Sequence, residues 1–139
     1  MLPQNVDMWA ASILSEGRAR FRAEAKAVGR LAHPNIVQVY HWSEEQDDRQ
    51  FLVMEFLEGE TLRELMDRSH FSPPESLLCI AIPLTKALLH AHANQVVHRD
   101  IKPSNILIDP ENFVAKLADF GIARLSGKDA AMILSLIHI

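Results

Sequence analysis

The 139-residue sequence predicts an α+β fold, because helical stretches are interleaved with short strand-like ones. Over residues 15–32, apolar side chains recur at helical spacing and charged side chains occupy the opposite face. Residues 36–42 and 51–56 are rich in β-branched and aromatic side chains, which favour strands. A second, longer helix is predicted over residues 73–93.

Proline and capping residues set the predicted element boundaries. His33-Pro34-Asn35 should end the first helix, because proline disfavours helical geometry in the residue before it. Thr61 can cap a short helix that runs to Arg68. Pro83 lies inside the longest helix and should kink or interrupt it, since proline removes a helical hydrogen bond. Cys79, on the same helix, is expected to be an inert core thiol.

Short strand-like segments follow the long helix, at residues 96–97, 106–108 and 114–117. Residues 109–112 are expected to form a turn between the last two. The loops between these segments are dense in charged side chains. Binding and catalytic residues often lie on loops that a rigid scaffold positions, so we expect the functional residues in these loops.

The composition places the chain in a broad class. With 48% apolar and 23% charged residues it has the make-up of a soluble globular protein, which excludes a disordered tail, a collagen-like repeat and a disulfide scaffold. We expect no membrane span, which would need an apolar run of roughly 18 residues. A net charge of -4 gives no electrostatic reason to expect nucleic acid or anionic lipid as a partner.

Two loops carry a set of side chains suited to phosphoryl transfer, which needs oxygen ligands for Mg²⁺, a carboxylate at the acceptor hydroxyl and a cation on the transferred phosphate. Asn105 and Asp119 offer the hard oxygen ligands. Asp100 offers the carboxylate, and Lys102 the cation. Short loops on neighbouring strands can bring these four side chains to one point.

His98-Arg99-Asp100-x-Lys102-x-x-Asn105 followed by Asp119-Phe120-Gly121 resembles the catalytic loop and the magnesium loop of the protein kinases. The resemblance implies a two-lobed kinase fold, in which Asp100 accepts the proton of the acceptor hydroxyl. Lys102 resembles the serine/threonine branch, and residues 119–124 resemble the bacterial eukaryotic-like kinases. His98 and Phe120 would join Val28 and Val39 in a hydrophobic stack.

The resemblance extends to residues that would hold ATP. Glu24 looks like the helix glutamate that pairs with the ATP-holding lysine. Met54 would be the gatekeeper, while the carbonyl of Glu55 and the amide of Leu57 would face the adenine. Leu107 would lie under the base.

Further expectations about ligands and partners follow from the same resemblance. Arg99 would hold a phosphorylated activation loop. The cofactors would be ATP and Mg²⁺, and the partners proteins with Ser or Thr acceptors, with no nucleic acid and no membrane contact within this chain. The catalytic portion is expected in the cytoplasm, with a membrane anchor elsewhere in the parent left open. Two alternatives also stay open: a pseudokinase or scaffold, and a small-molecule phosphotransferase.

The sequence departs from the kinase pattern at both ends. No two glycines are spaced as a glycine-rich loop, and no lysine precedes the first helix. We therefore expect residues 1–125 to be a partial kinase domain (1–55 small lobe, 56–125 hinge and large lobe) that is inactive by itself. Residues 126–139 would be a truncated activation segment and a non-native tail, because 134–139 can be encoded by the transposon end used in sequencing libraries. The alternative for this tail is a native amphipathic helix.

Overall fold

The computed structural model describes residues 6–11, 18–44, 50–68, 74–109 and 111–120. These residues divide into two compact units. The first holds residues 6–11, 18–30, 38–44 and 50–56, and the second holds 31–37, 57–68, 74–109 and 111–120. The units interleave along the chain because 31–37 belongs to the second. The expected tail and activation segment, 126–139, lie outside the described residues.

The first unit is a three-stranded antiparallel sheet with one helix. Its strands are β1 (Val6–Ala11), β2 (Val39–Trp42) and β3 (Gln50–Glu55), in the order β1-β3-β2. Helix α1 (Arg18–Gly29) packs against β2. The helix and strands near β2 and β3 were predicted, whereas β1 was not; β2 and β3 pair antiparallel.

Helix α1 buries Phe21, Ala25 and Val28, which share one face because they are four and three residues apart. The helix ends at Gly29, three residues before the predicted end. A Cβ atom at Gly29 would lie 2.6 Å from the ring of Trp42, so the absence of a side chain lets the helix approach β2 closely.

The predicted strand over residues 36–42 is wrong in its first half, because β2 begins only at Val39. The Val37 N–H donates to the Leu117 carbonyl over 2.9 Å, and the Leu117 N–H donates to the Asn35 carbonyl over 2.8 Å. Ile36 forms a parallel bridge with Leu117. These β-rich residues therefore satisfy their backbone groups within the second unit, not in the sheet of the first.

The second unit consists of two helices and a second antiparallel sheet. The helices are α2 (Leu62–Arg68) and α3 (Pro74–Ala93). The strands are β4 (Glu60–Thr61), β5 (Ile106–Asp109) and β6 (Val114–Leu117), in the order β4-β5-β6. The predicted helix over 61–68 is confirmed. A capping box starts it, since the Glu64 N–H donates to Thr61 Oγ1 and the Thr61 N–H to Glu64 Oε2.

Helix α3 runs without interruption through Pro83, so the predicted interruption does not occur. Its buried residues, Ile80, Leu84, Ala87 and Ala91, form one face. Cys79 lies off that face and is exposed, so its prediction as a core thiol is wrong. Pro83 removes the helical partner of the Cys79 carbonyl, and Cys79 is an exposed residue of the helix.

The apolar character of α3 extends around the helix. Four of its large apolar side chains lie outside the buried face and are exposed: Leu77, Leu78, Ile82 and Leu89. The stretch Ser76–Ala93 is long and apolar enough, by length and mean hydropathy, to cross a membrane, although it includes Lys86 and two histidines. These properties are weak evidence for a membrane span, since core helices of globular proteins also have them.

The predicted strand at residues 96–97 is also wrong. After α3, Gln95 adopts a positive φ of 61°, and the Val96 N–H donates to the Ala91 carbonyl over 2.9 Å. These residues therefore complete the C-terminal cap of the helix. The predicted strands at 106–108 and 114–117 are confirmed as β5 and β6, and Asp109 Oδ1 accepts the N–H groups of Glu111 and Asn112 in the turn between them.

Candidate active site around Asp100

The predicted catalytic loop lies between α3 and β5. Lys102 is extended, with φ -158° and ψ 159°, because the following Pro103 excludes helical geometry. Pro103–Asn105 then form one 3-10 turn, closed by a 2.9 Å bond from the Asn105 N–H to the Lys102 carbonyl. The Ala118 N–H donates to the Asn105 carbonyl over 2.9 Å. The loop is thereby tied to the segment that carries Asp119.

Asn105 holds the carboxylate of Asp100 in place. Its Nδ2 donates to the Asp100 backbone carbonyl over 2.8 Å and to Asp100 Oδ2 over 3.0 Å. Asn105 is only 5% exposed, so burial limits its alternative conformations. Because both bonds use the nitrogen, they leave the carboxamide oxygen out of the contact with Asp100, as a metal ligand requires.

Lys102 lies beside the same carboxylate. Its Nζ is 3.2 Å from Asp100 Oδ2, and about half of its side chain is exposed. An ion pair this exposed adds little to stability. A mobile cation beside a fixed carboxylate instead suits the task of neutralising a phosphate that arrives from solvent.

The side chain of His98 is buried, with 1% exposure, and it connects the loop of Asp100 with the segment that carries Asp119. Its Nε2 lies 2.7 Å from the Ala118 carbonyl and must donate, since a carbonyl can only accept. Its Nδ1 accepts the Asp100 N–H over 3.2 Å. The ring also packs on Phe120 at 4.6 Å between centroids. One neutral tautomer satisfies all these contacts.

Burial lowers the pKa of His98, although its bond to Ala118 and the charges of Asp100 and Asp119 act in the opposite direction. Sequence reasoning placed His98 only in a hydrophobic stack and missed its hydrogen bonds. No sequence pattern signals them, because both partners are backbone groups.

Asp119 follows β6 in a left-handed backbone conformation, with φ 56°. This region is unfavourable for a residue with a side chain and is concentrated at functional sites. Its side chain reaches solvent, yet the surrounding protein desolvates it and raises the pKa of its carboxyl. The negative charge of Asp100 adds to this shift, while His98 and Lys102 oppose it. A cation near Asp100 and Asp119 would therefore be favoured.

The donor set fits Mg²⁺. The available ligand atoms are an amide oxygen and carboxylate oxygens, which are the hard ligands that this ion prefers. Among the described residues, no three His, Cys, Asp or Glu side chains cluster into a metal site. Mg²⁺ does not require such a cluster, because it is held by one or two carboxylates together with water and substrate phosphates. Asn105 and Asp119 are the residues that would hold it.

The protein kinase domain family matches residues 7–135 of the sequence. The chain belongs to the protein kinase family. Serine/threonine-protein kinase PrkC of Bacillus subtilis is 49% identical over 104 residues, which are 75% of this chain and 16% of that protein. Serine/threonine-protein kinase PknL of Mycobacterium tuberculosis is 47% identical over 106 residues, 76% of this chain and 26% of that protein.

Solved kinase structures share the fold. The crystal structure of the Mycobacterium tuberculosis PknI kinase domain aligns with a TM-score of 0.73 and 29% identity, over 88% of this chain and 51% of that chain. The chain thus spans 51% of this kinase domain and 16% and 26% of the two curated relatives named above. The predicted kinase-like α+β fold is confirmed.

Three of the residues predicted to take part in ATP binding lie in the first unit. Glu24 is half-buried on α1, and Met54 is half-buried on β3. Glu55 ends β3, where its N–H donates to the Gln38 carbonyl over 2.8 Å and its Oε2 accepts the Gln38 N–H over 3.2 Å. The two bonds to one residue fix the backbone where the predicted hinge begins.

Leu57 and Leu107 belong to the second unit. On β5, Ile106 and Ile108 point into the core, whereas Leu107 lies half-buried on the opposite face of the strand. Leu107 is therefore not the ordinary core residue that its sequence context alone would suggest. Arg99, with a φ of 66°, is exposed. The activation segment that it would hold lies outside the described residues.

Proposed function

We propose that this chain carries the catalytic loop of a protein kinase that transfers a phosphoryl group from ATP to Ser or Thr side chains of proteins. The observation that carries the proposal is the arrangement around Asp100, whose carboxylate is held by Asn105 at 3.0 Å and accompanied by Lys102 at 3.2 Å. A fixed carboxylate with an adjacent mobile cation is what an acceptor hydroxyl and a transferred phosphate require.

Each residue has a separate task in this proposal. Asp100 orients the acceptor hydroxyl and takes up its proton, and Lys102 neutralises charge on the transferred phosphate. Asn105 and Asp119 hold Mg²⁺, which when bound offsets the negative charge of the ATP phosphates. His98 is a positioning residue, since it keeps Asp100 and the segment before Asp119 in register through backbone bonds.

The choice of protein substrates with Ser or Thr acceptors is supported by the names of PrkC and PknL, both serine/threonine-protein kinases. Lys102, two residues after Asp100, supports the same branch. The roles of Glu24 in pairing with a lysine and of Met54, Glu55, Leu57 and Leu107 at the adenine belong to this proposal, as does the division into lobe parts at residues 1–55 and 56–125.

A chimeric kinase tests the proposal. The segment of Bacillus subtilis PrkC that matches this chain would be replaced by the 104 matching residues, and transfer of labelled phosphate to a basic protein would be measured. We expect transfer to Ser and Thr, and a loss of about 10²- to 10⁴-fold in the Asp100→Asn chimera, because the proton acceptor is removed.

The matched control is Asp109→Asn. Asp109 accepts the N–H groups of its turn in the same sheet, and asparagine can do the same. This chimera should keep its rate within about twofold. Equal rates for the Asp100→Asn chimera and the unsubstituted one would refute the assignment. A folded chimera that binds ATP without transferring phosphate would favour the scaffold alternative.

We further infer that the 139-residue chain does not turn over ATP alone. Its first lysine is Lys26, which lies on α1 itself, so Glu24 has no lysine on a preceding strand with which to pair. Incubation of the purified chain with labelled ATP should release no phosphate above the level of the Asp100→Asn variant. Release above that level would contradict the inference.

A further inference from the structure

A second cluster of ionisable groups lies at the turn between α1 and β2, apart from the proposed active site. The Asn35 N–H donates to His33 Nδ1 over 3.1 Å, and the Ile36 N–H donates to the His33 carbonyl over the same distance. Because Nδ1 is the acceptor, neutral His33 carries its proton on Nε2. The turn thus depends on an unprotonated Nδ1.

This turn is attached to β6. Asn35 Nδ2 donates to the Ala115 carbonyl over 2.8 Å, and the Asn35 carbonyl accepts the Leu117 N–H, also over 2.8 Å. Asn35 therefore connects the His33 ring to the sheet through its own backbone and side chain. A change at His33 Nδ1 acts directly on the residue that makes these bonds.

His33 also contacts α3, which packs against β6. The rings of His33 and His90 lie 5.3 Å apart between centroids, with their planes inclined by 40°. The ionisable residues of α3 and β6 whose side chains the structure describes are all basic or neutral: Cys79, Lys86, His90, His92 and Lys116. The acidic residue of α3, Glu75, lies in its first turn, about 22 Å from His90 along the helix axis.

Protonation of His33 would oppose both contacts. An N–H at Nδ1 would point at the N–H of Asn35, so two donors would face each other. The basic His90 ring beside it also disfavours a positive charge on His33. Burial lowers the pKa of His33, and the charge of His90 lowers it further, which agrees with this geometry.

We propose that His33, with His90 beside it, forms a pH-sensitive anchor, which holds the turn over residues 31–37 on the second unit when the His33 ring is neutral and loosens it when that ring is protonated. The proton is the ligand that controls this anchor. The anchor does not depend on the proposed kinase activity, and it can be tested without ATP.

Amide exchange in the 139-residue chain, followed by NMR at about pH 8 and about pH 5, tests the anchor. After correction for intrinsic exchange, we expect the Asn35 amide to lose at least about fivefold of its protection at the lower pH, since one hydrogen bond is lost. His33→Asn keeps an acceptor oxygen two residues before that amide but cannot titrate in this range. This variant should keep its protection at both pH values.

His33→Ala removes the acceptor and should leave the Asn35 amide weakly protected throughout. His90→Gln removes the second charge, so the NMR titration midpoint of His33 should move to higher pH. His92→Gln is the matched control, because His92 is exposed on the same helix, and it should leave that midpoint unchanged. The proposal is overturned if wild-type protection of Asn35 is the same at both pH values, or if His33→Asn retains the wild-type pH dependence.

Discussion

The tripeptides His33-Pro34-Asn35 and His98-Arg99-Asp100 share one local geometry and differ in what surrounds it. In both, the histidine Nδ1 accepts the N–H of the residue two positions later, over 3.1 Å at Asn35 and 3.2 Å at Asp100. The second ring nitrogen of His98 donates to a backbone carbonyl, and that ring is fully buried. His33 is only partly buried and has another histidine beside it.

The difference teaches that the partners outside the tripeptide decide its role. Asn35 directs its side chain to the Ala115 carbonyl, so the first tripeptide is an attachment point. Asp100 directs its carboxylate to Asn105 and Lys102, so the second holds the carboxylate on which the proposed function depends. A carbonyl partner favours one tautomer of His98, whereas the basic neighbour of His33 lowers the pKa of its ring.

Replacing His98 by alanine should have the largest effect of the substitutions that separate the two tripeptides. The change removes a buried ring together with its bonds to Ala118 and Asp100, so we expect a loss of about 3 kcal/mol in the free energy of unfolding. Urea denaturation of the 139-residue chain would measure it. His92→Ala, on exposed α3 surface, should cost less than about 0.5 kcal/mol. A loss below about 1 kcal/mol at His98 would show that the ring does not hold the loops together.

The third residues of the tripeptides should respond in opposite ways. Asn35→Ala removes the bond to Ala115 in a half-buried place and should cost about 1–2 kcal/mol. Asp100→Asn loses the ion pair with half-exposed Lys102 but keeps an oxygen that can accept the bond from Asn105, so it should change the free energy of unfolding by less than about 0.5 kcal/mol. Urea denaturation of both variants gives the comparison. Equal losses would remove the distinction between an attachment point and a reactive one.

The pH dependence of stability should be the smallest effect. Both His33 and His98 have a lowered pKa in the folded chain, so the unfolded chain binds more protons as the pH falls. Their contribution is fully present above about pH 6.5 and is lost as the pH falls below it, by at most about 1.4 kcal/mol per pH unit for each group. Asp119, with a raised pKa, acts in the opposite direction at lower pH.

Urea denaturation at several pH values between about 8 and about 5.5 would check this dependence. The His33→Asn variant should show a smaller slope than the wild type, because one of the two titrating groups is gone. His92→Gln should keep the wild-type slope. Stability that rises as the pH falls through this window would contradict the lowered pKa of the two histidines.

Much of the site could be predicted because its chemistry demands particular residue types at a fixed spacing. Asp100, Lys102 and Asn105 lie within one short loop, so chain geometry alone brings them together. The capping box at Thr61 and the buried face of α1 were predictable for the same reason, since both depend on neighbours three or four residues apart. The exposure of Cys79 could not be predicted. Helix α3 carries apolar residues on several sides, so the sequence does not show which side is buried.

The sequence by itself predicted the kinase-like fold through the resemblance of its two loop motifs, and it brought Asp100, Lys102 and Asn105 together because they lie within one short loop. Only the tertiary structure decided that Ile36 and Val37 bond to Leu117 and that His98 connects two loops. It also decided that His33 meets His90. The physical reason is that these contacts join residues far apart in the chain, often through backbone groups that every residue possesses, so no pattern of side chains marks them.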